Sequence, residues 1–303
     1  MNNGPCISVV TKNLKNPAYI GARLGVERVL TKYGGKATHL IPTSPDSISE
    51  QSELLLRALA DRPDAILLAP AHARQMRTVL DQVAASSIPL FCFVSEPVPS
   101  VATTFVGAND YALGSSMAGY LGKFLKGFGE VIIVNGHPDA ATTMPRALGY
   151  KHGLREFPNV FVRKQCQGDY QRETAKSVFK KTIDEVGVPD GVLVSNDFMA
   201  CGIWDVIQFR GLSIPMVGAN ATPEGVELIK QGAMLASAAF DAMSMAGLAA
   251  EAAIRHLRGE TVPRFIDLPV KMIHSENLGD WDKPYSEREM YSWNEALEFS
   301  IWE

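Results

Sequence analysis

What most limits how this chain can fold is an alternation of two patterns. Short, largely apolar runs recur at strand length: "CISVV" (6–10), "ATHLI" (37–41), "AILLA" (65–69), "LFCFV" (90–94) and "TTFVG" (103–107). Between them lie amphipathic stretches at about 17–33, 47–61 and 72–86. The last of these sets Met76, Val79, Leu80 and Val83 at helical spacing. A strand that is apolar at every position is buried on both faces. Such strands separated by helices make a parallel sheet with helices on either side.

The pattern then restarts. "EVIIVNG" (130–136), "VFVRKQC" (160–166), "GVLVSND" (191–197) and "IPMVGAN" (214–220) read as strands. Helical patterns fill about 113–126, 146–157, 171–186, 198–210 and 223–231, and a further one runs over about 243–258. At 303 residues the chain is long for one core. Two successive doubly wound α/β lobes of similar size are therefore expected. The tail "YSEREMYSWNEALEFSIWE" (285–303) is rich in aromatics and reads as a helix that covers a lobe.

In open parallel sheets, ligands bind beyond the carboxyl ends of the strands. Polar residues that end an apolar strand are thus the first functional candidates. Asn196 and Asp197 end one such run, in "LVSNDFMACG" (193–202). Asp197 is placed to cap the helix carrying Met199, Ile203, Val206 and Ile207. For Asn196, ligand contact and loop bracing both stand, and contact is the preferred reading.

Little in the sequence points to catalysis. There is no GxGxxG after the first strand, no GxxxxGK[ST], no GxSxG and no HExxH, and the six histidines are scattered without metal-ligand spacing. No enzyme class, cofactor or metal gains support. The net charge of −4 offers no basic face for nucleic acid. No apolar run approaches the roughly 18 residues of a membrane helix. The N-terminus "MNNGPC" is too short and polar for a signal peptide, so the expected alternatives are a cytoplasmic protein or one whose leader has been removed. Cys6, Cys92, Cys166 and Cys201 have no CxxC spacing and read as free, buried small residues.

Six short motifs, in order, carry a family resemblance. They are "KNPAY" (15–19), "AILLAP" (65–70), "VGANDYALG" (106–114), "RALGY" (146–150), "SNDFMACG" (195–202) and "VGANATPEGVELIKQG" (217–232). Over about residues 6–275 the chain resembles the type I solute-binding proteins of bacterial sugar importers, the ribose-binding-protein group. The ligand lobes of the lactose-repressor family share that fold. The resemblance implies two lobes, 1–107 plus 241–271 and 108–240 plus 272–303, joined by three hinge crossings near 107–109, 238–241 and 270–274. It implies a monomeric periplasmic protein that closes on a sugar and docks on a membrane permease driven by a separate ATPase. A regulatory ligand sensor, either a repressor-type core or a sensor-kinase partner, is the alternative.

The resemblance also nominates ligand contacts. Asn16 and Asn196 would meet sugar hydroxyls. Tyr19 and Tyr170 would lay rings on the sugar's C–H face with their hydroxyls wet. Ser95 follows the fourth strand, Arg146 would donate several fixed hydrogen bonds, and Asn109, Asn220 and Phe240 would line the cleft. Three structural roles compete with these: core packing for Tyr19, a surface bridge from Arg146 to Asp139 or Asp169, and hinge packing for Phe240. Asn109 and Asn220 stand where relatives often carry Asp, and Phe240 where the hinge usually has Gln. The expected ligand is a small neutral sugar or polyol, with Arg146 satisfied by hydroxyls and by Asp169 or Glu96. A sugar acid gripped by Arg146 is the other reading.

Overall fold

The computed structural model of the chain describes residues 4–300. Two compact units emerge. Among the described residues, the first comprises 4–108, 241–269 and 289–300, and the second 109–240 and 270–288.

The first unit begins with β1 (Cys6–Val10), α1 (Pro17–Lys32), β2 (Lys36–Leu40), α2 (Ile48–Ala60), β3 (Ala65–Leu68), α3 (Arg77–Ala85), β4 (Leu90–Phe93) and β5 (Thr104–Ala108). The second unit follows with α4 (Asp110–Phe124), β6 (Phe128–Asn135), α5 (Thr143–Leu154), β7 (Asn159–Gln167), α6 (Arg172–Val186), β8 (Gly191–Val194), α7 (Asp197–Phe209), β9 (Met216–Ala219), α8 (Pro223–Lys230) and β10 (Ala236–Ala238). The chain returns to the first unit as α9 (Ala242–Leu257) and β11 (Phe265–Leu268). It revisits the second as β12 (Met272–His274) and a short 3-10 turn (Gly279–Asp282), and ends in the first as α10 (Trp293–Ser300).

The first unit's sheet has the order β11-β5-β4-β3-β1-β2, and all its pairings are parallel. The second unit repeats the plan as β12-β10-β9-β8-β6-β7, with only β12 antiparallel. In each, strand order reverses at the first strand of the unit, β1 or β6, which is the switch point where such sheets bind ligands. The apolar runs are the central strands: β3, β4, β8 and β9 are buried at every position. Edge strands β2 and β7 bury only Leu40 and Val160, and their other residues are exposed or half-buried.

The expected elements are present, and three short strands join them. β10, β11 and β12 have three or four residues each. Too short to show a period, they take their strand geometry from their sheet neighbours.

The tail packs differently from expectation. From Glu289 onward it belongs to the first unit, not the second, and only Trp293–Ser300 is helical. Trp293 and Ala296 are buried there. The Arg255 guanidinium lies 4.7 Å from the Trp293 ring centroid, and the Asp267 N–H donates to Ser300 Oγ at 3.1 Å. The amphipathic face that the sequence shows finds its partner in α9 and β11. The cysteines are all free, as read, but Cys6 is exposed and Cys166 only half-buried, because each lies on a strand at or near an edge. No helix among the described residues is long and apolar enough to cross a membrane.

Candidate functional site

Three of the nominated asparagines share one local design. Asn16, Asn109 and Asn196 each end a strand or its following loop in extended backbone and cap the next helix. Their Oδ1 atoms accept from Ala18 N (3.1 Å), Ala112 N (2.9 Å) and Met199 N (2.9 Å). Each cap pins the side chain through its oxygen. Each leaves an amide Nδ2 with no partner among the described residues, presented at the carboxyl end of a sheet.

In the first unit, β1 runs straight into Thr11, Lys12 and Asn13, all buried. Asn13 Oδ1 accepts from Lys15 N and Asn16 N, both at 2.9 Å. Lys12 Nζ lies 3.7 Å from Asp46. Lys12 and Asn13 escaped sequence reading, although "SVVTKN" carries the same signature of an apolar strand that stops on polar residues. Ser95 is buried after β4, with its N–H on Phe93 O at 2.7 Å. Tyr19 is buried on α1. Glu96 pairs with Arg264 at 2.6 Å within this unit.

In the second unit Arg146 is the organising charge. It is 3% exposed. Its Nε and Nη2 both lie 2.8 Å from Asp110 Oδ1, and Nη1 donates to Ser195 O. Its guanidinium stands 5.0 Å from the Phe240 ring centroid and 6.0 Å from that of Tyr170. Burial works against the charge, but Asp110 and the surrounding Tyr170 and Tyr150 outweigh it, and the group is held above its ordinary pKa. The partner is thus Asp110, not Asp139, Asp169 or Glu96 as the sequence reading offered.

Two further expectations change. The Tyr170 hydroxyl is not wet: it bonds Thr142 Oγ1 at 2.8 Å and accepts from Thr143 Oγ1 at 3.1 Å. The helix cap is Asn196, one residue before the expected Asp197. Asp197 opens α7 with its carboxylate turned to the neighbouring strands, where it accepts from Ser237 Oγ at 2.8 Å and Thr222 N at 2.9 Å. Asn220 follows β9 at φ 104° and Ala221 at φ 46°, and Asn220 N donates to Ala238 O at 2.8 Å.

Complete burial pushes the Asp197 pKa up to about 7. The Ser237 and Thr222 bonds and Arg288 pull the other way, and Glu224 adds to the rise. A carboxyl group raised above its ordinary value of about 3.9 holds a proton that the unfolded chain releases. Stability should therefore fall as pH rises from about 4 to about 7, by at most about 1.4 kcal/mol per pH unit from this group. Chemical denaturation across that range should show a flatter profile in Asp197→Asn. An unchanged slope would mean that Asp197 titrates normally.

Among the described residues, no three His, Cys, Asp or Glu side chains converge as a metal site. The two sets of strand-end groups are amides, hydroxyls, aromatic rings, a lysine beside Asp46 and an arginine paired with Asp110. They can hydrogen-bond and stack, and they hold no nucleophile–base pair.

Comparison with known proteins gives the context. The profile of the periplasmic binding protein domain matches residues 7–261. The ribose import binding protein of Bacillus subtilis is 25% identical over 268 residues, covering 88% of this chain and 86% of that one. The fold is shared with a carbohydrate transporter solute-binding protein from Agrobacterium radiobacter in complex with D-arabinose, at a TM-score of 0.86, 20% identity, and coverage of 95% and 100% of the two chains. It is shared equally with a solute-binding protein from Bacillus halodurans with bound myo-inositol, at a TM-score of 0.85, 20% identity, and coverage of 93% and 98%.

Proposed function

We propose, because this chain belongs to the periplasmic binding protein domain family, that it is the solute-binding subunit of an ATP-driven importer and takes a small neutral carbohydrate or polyol. One observation carries the ligand class. Arg146, the strongest candidate to grip an anion, already has Asp110 as its counter-charge. A second carboxylate arriving with the ligand would compete with Asp110, whereas a hydroxyl can take the guanidinium's two remaining N–H groups without disturbing the pair.

On this reading Asn109, Asn196 and Asn220 of the second unit and Asn16 of the first offer amides to hydroxyls, Ser95 of the first adds a hydroxyl of its own, and Tyr19 of the first and Tyr170 and Phe240 of the second offer ring faces to C–H groups. Relatives described as binding ribose, D-arabinose and myo-inositol support a hydroxyl-rich ligand. On this reading the protein works as a monomer in the periplasm, its two units are drawn together by the ligand, and the loaded form docks on a membrane permease.

A thermal-shift screen over sugars, polyols and their acids tests this. A ligand at 100 times its Kd should add about 2.7 kcal/mol, and small-angle scattering should show a smaller radius of gyration on binding. Matched pairs of an aldose and its aldonic acid decide charge: tight binding of the acid alone would sink the neutral reading.

Asn196→Ser separates contact from capping. Serine still caps but lacks the amide nitrogen. Affinity should drop by roughly 1–3 kcal/mol, while the unliganded melting temperature barely moves. Unchanged affinity would remove Asn196 from the contacts.

A further inference from the structure

The turn that presents Asn220 is held from outside its own sheet. Asn220 and Ala221 are non-glycine residues at positive φ, a backbone state that persists only where the surroundings fix it. Four bonds do so. Asn220 N donates to Ala238 O at 2.8 Å and Ala221 N to Ser237 Oγ at 2.9 Å. Thr222 N donates to the buried Asp197 carboxylate at 2.9 Å. The fourth comes from far along the chain: Arg288 Nη1 donates to Ala221 O at 2.6 Å.

Arg288 is built in, not draped over. It is 4% exposed. Its Nη2 donates to Trp281 O at 2.7 Å and its Nε to Lys283 O at 2.8 Å. The Trp281 and Tyr285 ring centroids lie 5.3 and 4.9 Å from its guanidinium carbon. One side chain thus ties the 281–285 segment to the carbonyl beside Asn220. The segment lies beyond residues 7–261, the part that matches the family profile.

We propose that Arg288 is a positioning residue of the ligand site: by holding Ala221 O it keeps the Asn220 turn in its left-handed form, so that ligand affinity depends on a side chain that touches no ligand. The proposal rests on the reading above that Asn220 meets the ligand. A planar guanidinium reaching three carbonyls at fixed angles suits the task better than a lysine.

The test combines hydrogen exchange with calorimetry on the full chain, using D-ribose, D-arabinose, xylitol and myo-inositol as probes. In unliganded Arg288→Gln the amides of Asn220, Ala221 and Thr222 should exchange at least tenfold faster, with those of Val192–Val194 unchanged. The tightest-binding probe should lose at least tenfold in affinity in Arg288→Gln. In an Asn220→Ala background the same change should cost less than twofold, because the residue it acts through is gone.

Arg288→Lys, which keeps the charge but reaches fewer carbonyls, should fall between, and it serves if the glutamine variant does not fold. Unchanged exchange at 220–222 overturns the proposal. So does an affinity loss that persists undiminished in Asn220→Ala, or a lower melting temperature with wild-type affinity. A wild-type protein that binds none of the four probes sinks the carbohydrate reading instead, and the exchange rates then judge the clamp alone.

Discussion

Replacing Arg146 with methionine should destabilise the second unit by about 3–5 kcal/mol, because it strands a largely buried carboxylate. Asp110 would lose both its contacts from the guanidinium, and Ser195 O would lose its donor. For a unit of this size that is roughly 6–20 °C in melting temperature. The measurement is chemical or thermal unfolding of the unliganded protein, so no ligand contact enters. Asp110→Leu added to Arg146→Met should recover part of the loss, since it removes the carboxylate that has lost the guanidinium. Arg146→Lys should lie between, because an ammonium cannot reach Asp110 and Ser195 O in the same planar fork. A loss below about 1 kcal/mol in Arg146→Met would place the pair with ordinary surface bridges and leave Arg146 free to serve a charged ligand.

The second large effect is at Gly149, on α5 one turn beyond Arg146. Helix propensity alone expects Gly149→Ala to stabilise by about 1 kcal/mol. The packing expects the reverse. A Cβ there would sit 2.2 Å from Tyr111 O and 2.8 Å from Ser115 N, main-chain atoms of α4 that no rotamer change can move. Net destabilisation of about 2–3 kcal/mol is the expected result. Gly119→Ala is the matched control: it lies on α4, a Cβ there meets nothing within 4 Å, and the same substitution should stabilise by about 0.5–1 kcal/mol. If both changes stabilise, the close approach of α4 and α5 is not a packing constraint. That approach also brings Arg146 to Asp110, so Gly149→Ala should weaken the pair and lower stability through both routes.

These two cases show why one part of the site was legible and another was not. The strand-end position of Asn196 follows from residues next to it: an apolar run, a polar stop, then a helical period; Asn16 and Asn109 were nominated by the family resemblance. The partner of Arg146 does not. Asp110 is 36 residues away, and it was chosen over Asp139 and Asp169 by the crossing of two helices that small residues allow to touch. Capping shows the same limit at the shortest range. Asn196 and Asp197 both suit a helix start, and the choice fell to Ser237 and the Thr222 amide, which offer Asp197 donors on neighbouring elements.

By itself the sequence determined the alternation of buried strands and amphipathic helices, the repetition of that pattern in two α/β units, and the ends of the sheets where amides collect. Each of these is set by side-chain period and local capping, which near neighbours dictate. Tertiary structure alone decided that Asp110 neutralises Arg146, that Lys12 and Asn13 join the first unit's polar face, that the Tyr170 hydroxyl is spent on two threonines, and that the tail splits at Arg288 between the two units. These depend on which surfaces meet when sheets and helices pack. Pairing between residues tens to hundreds of positions apart leaves no period in the chain from which to read it.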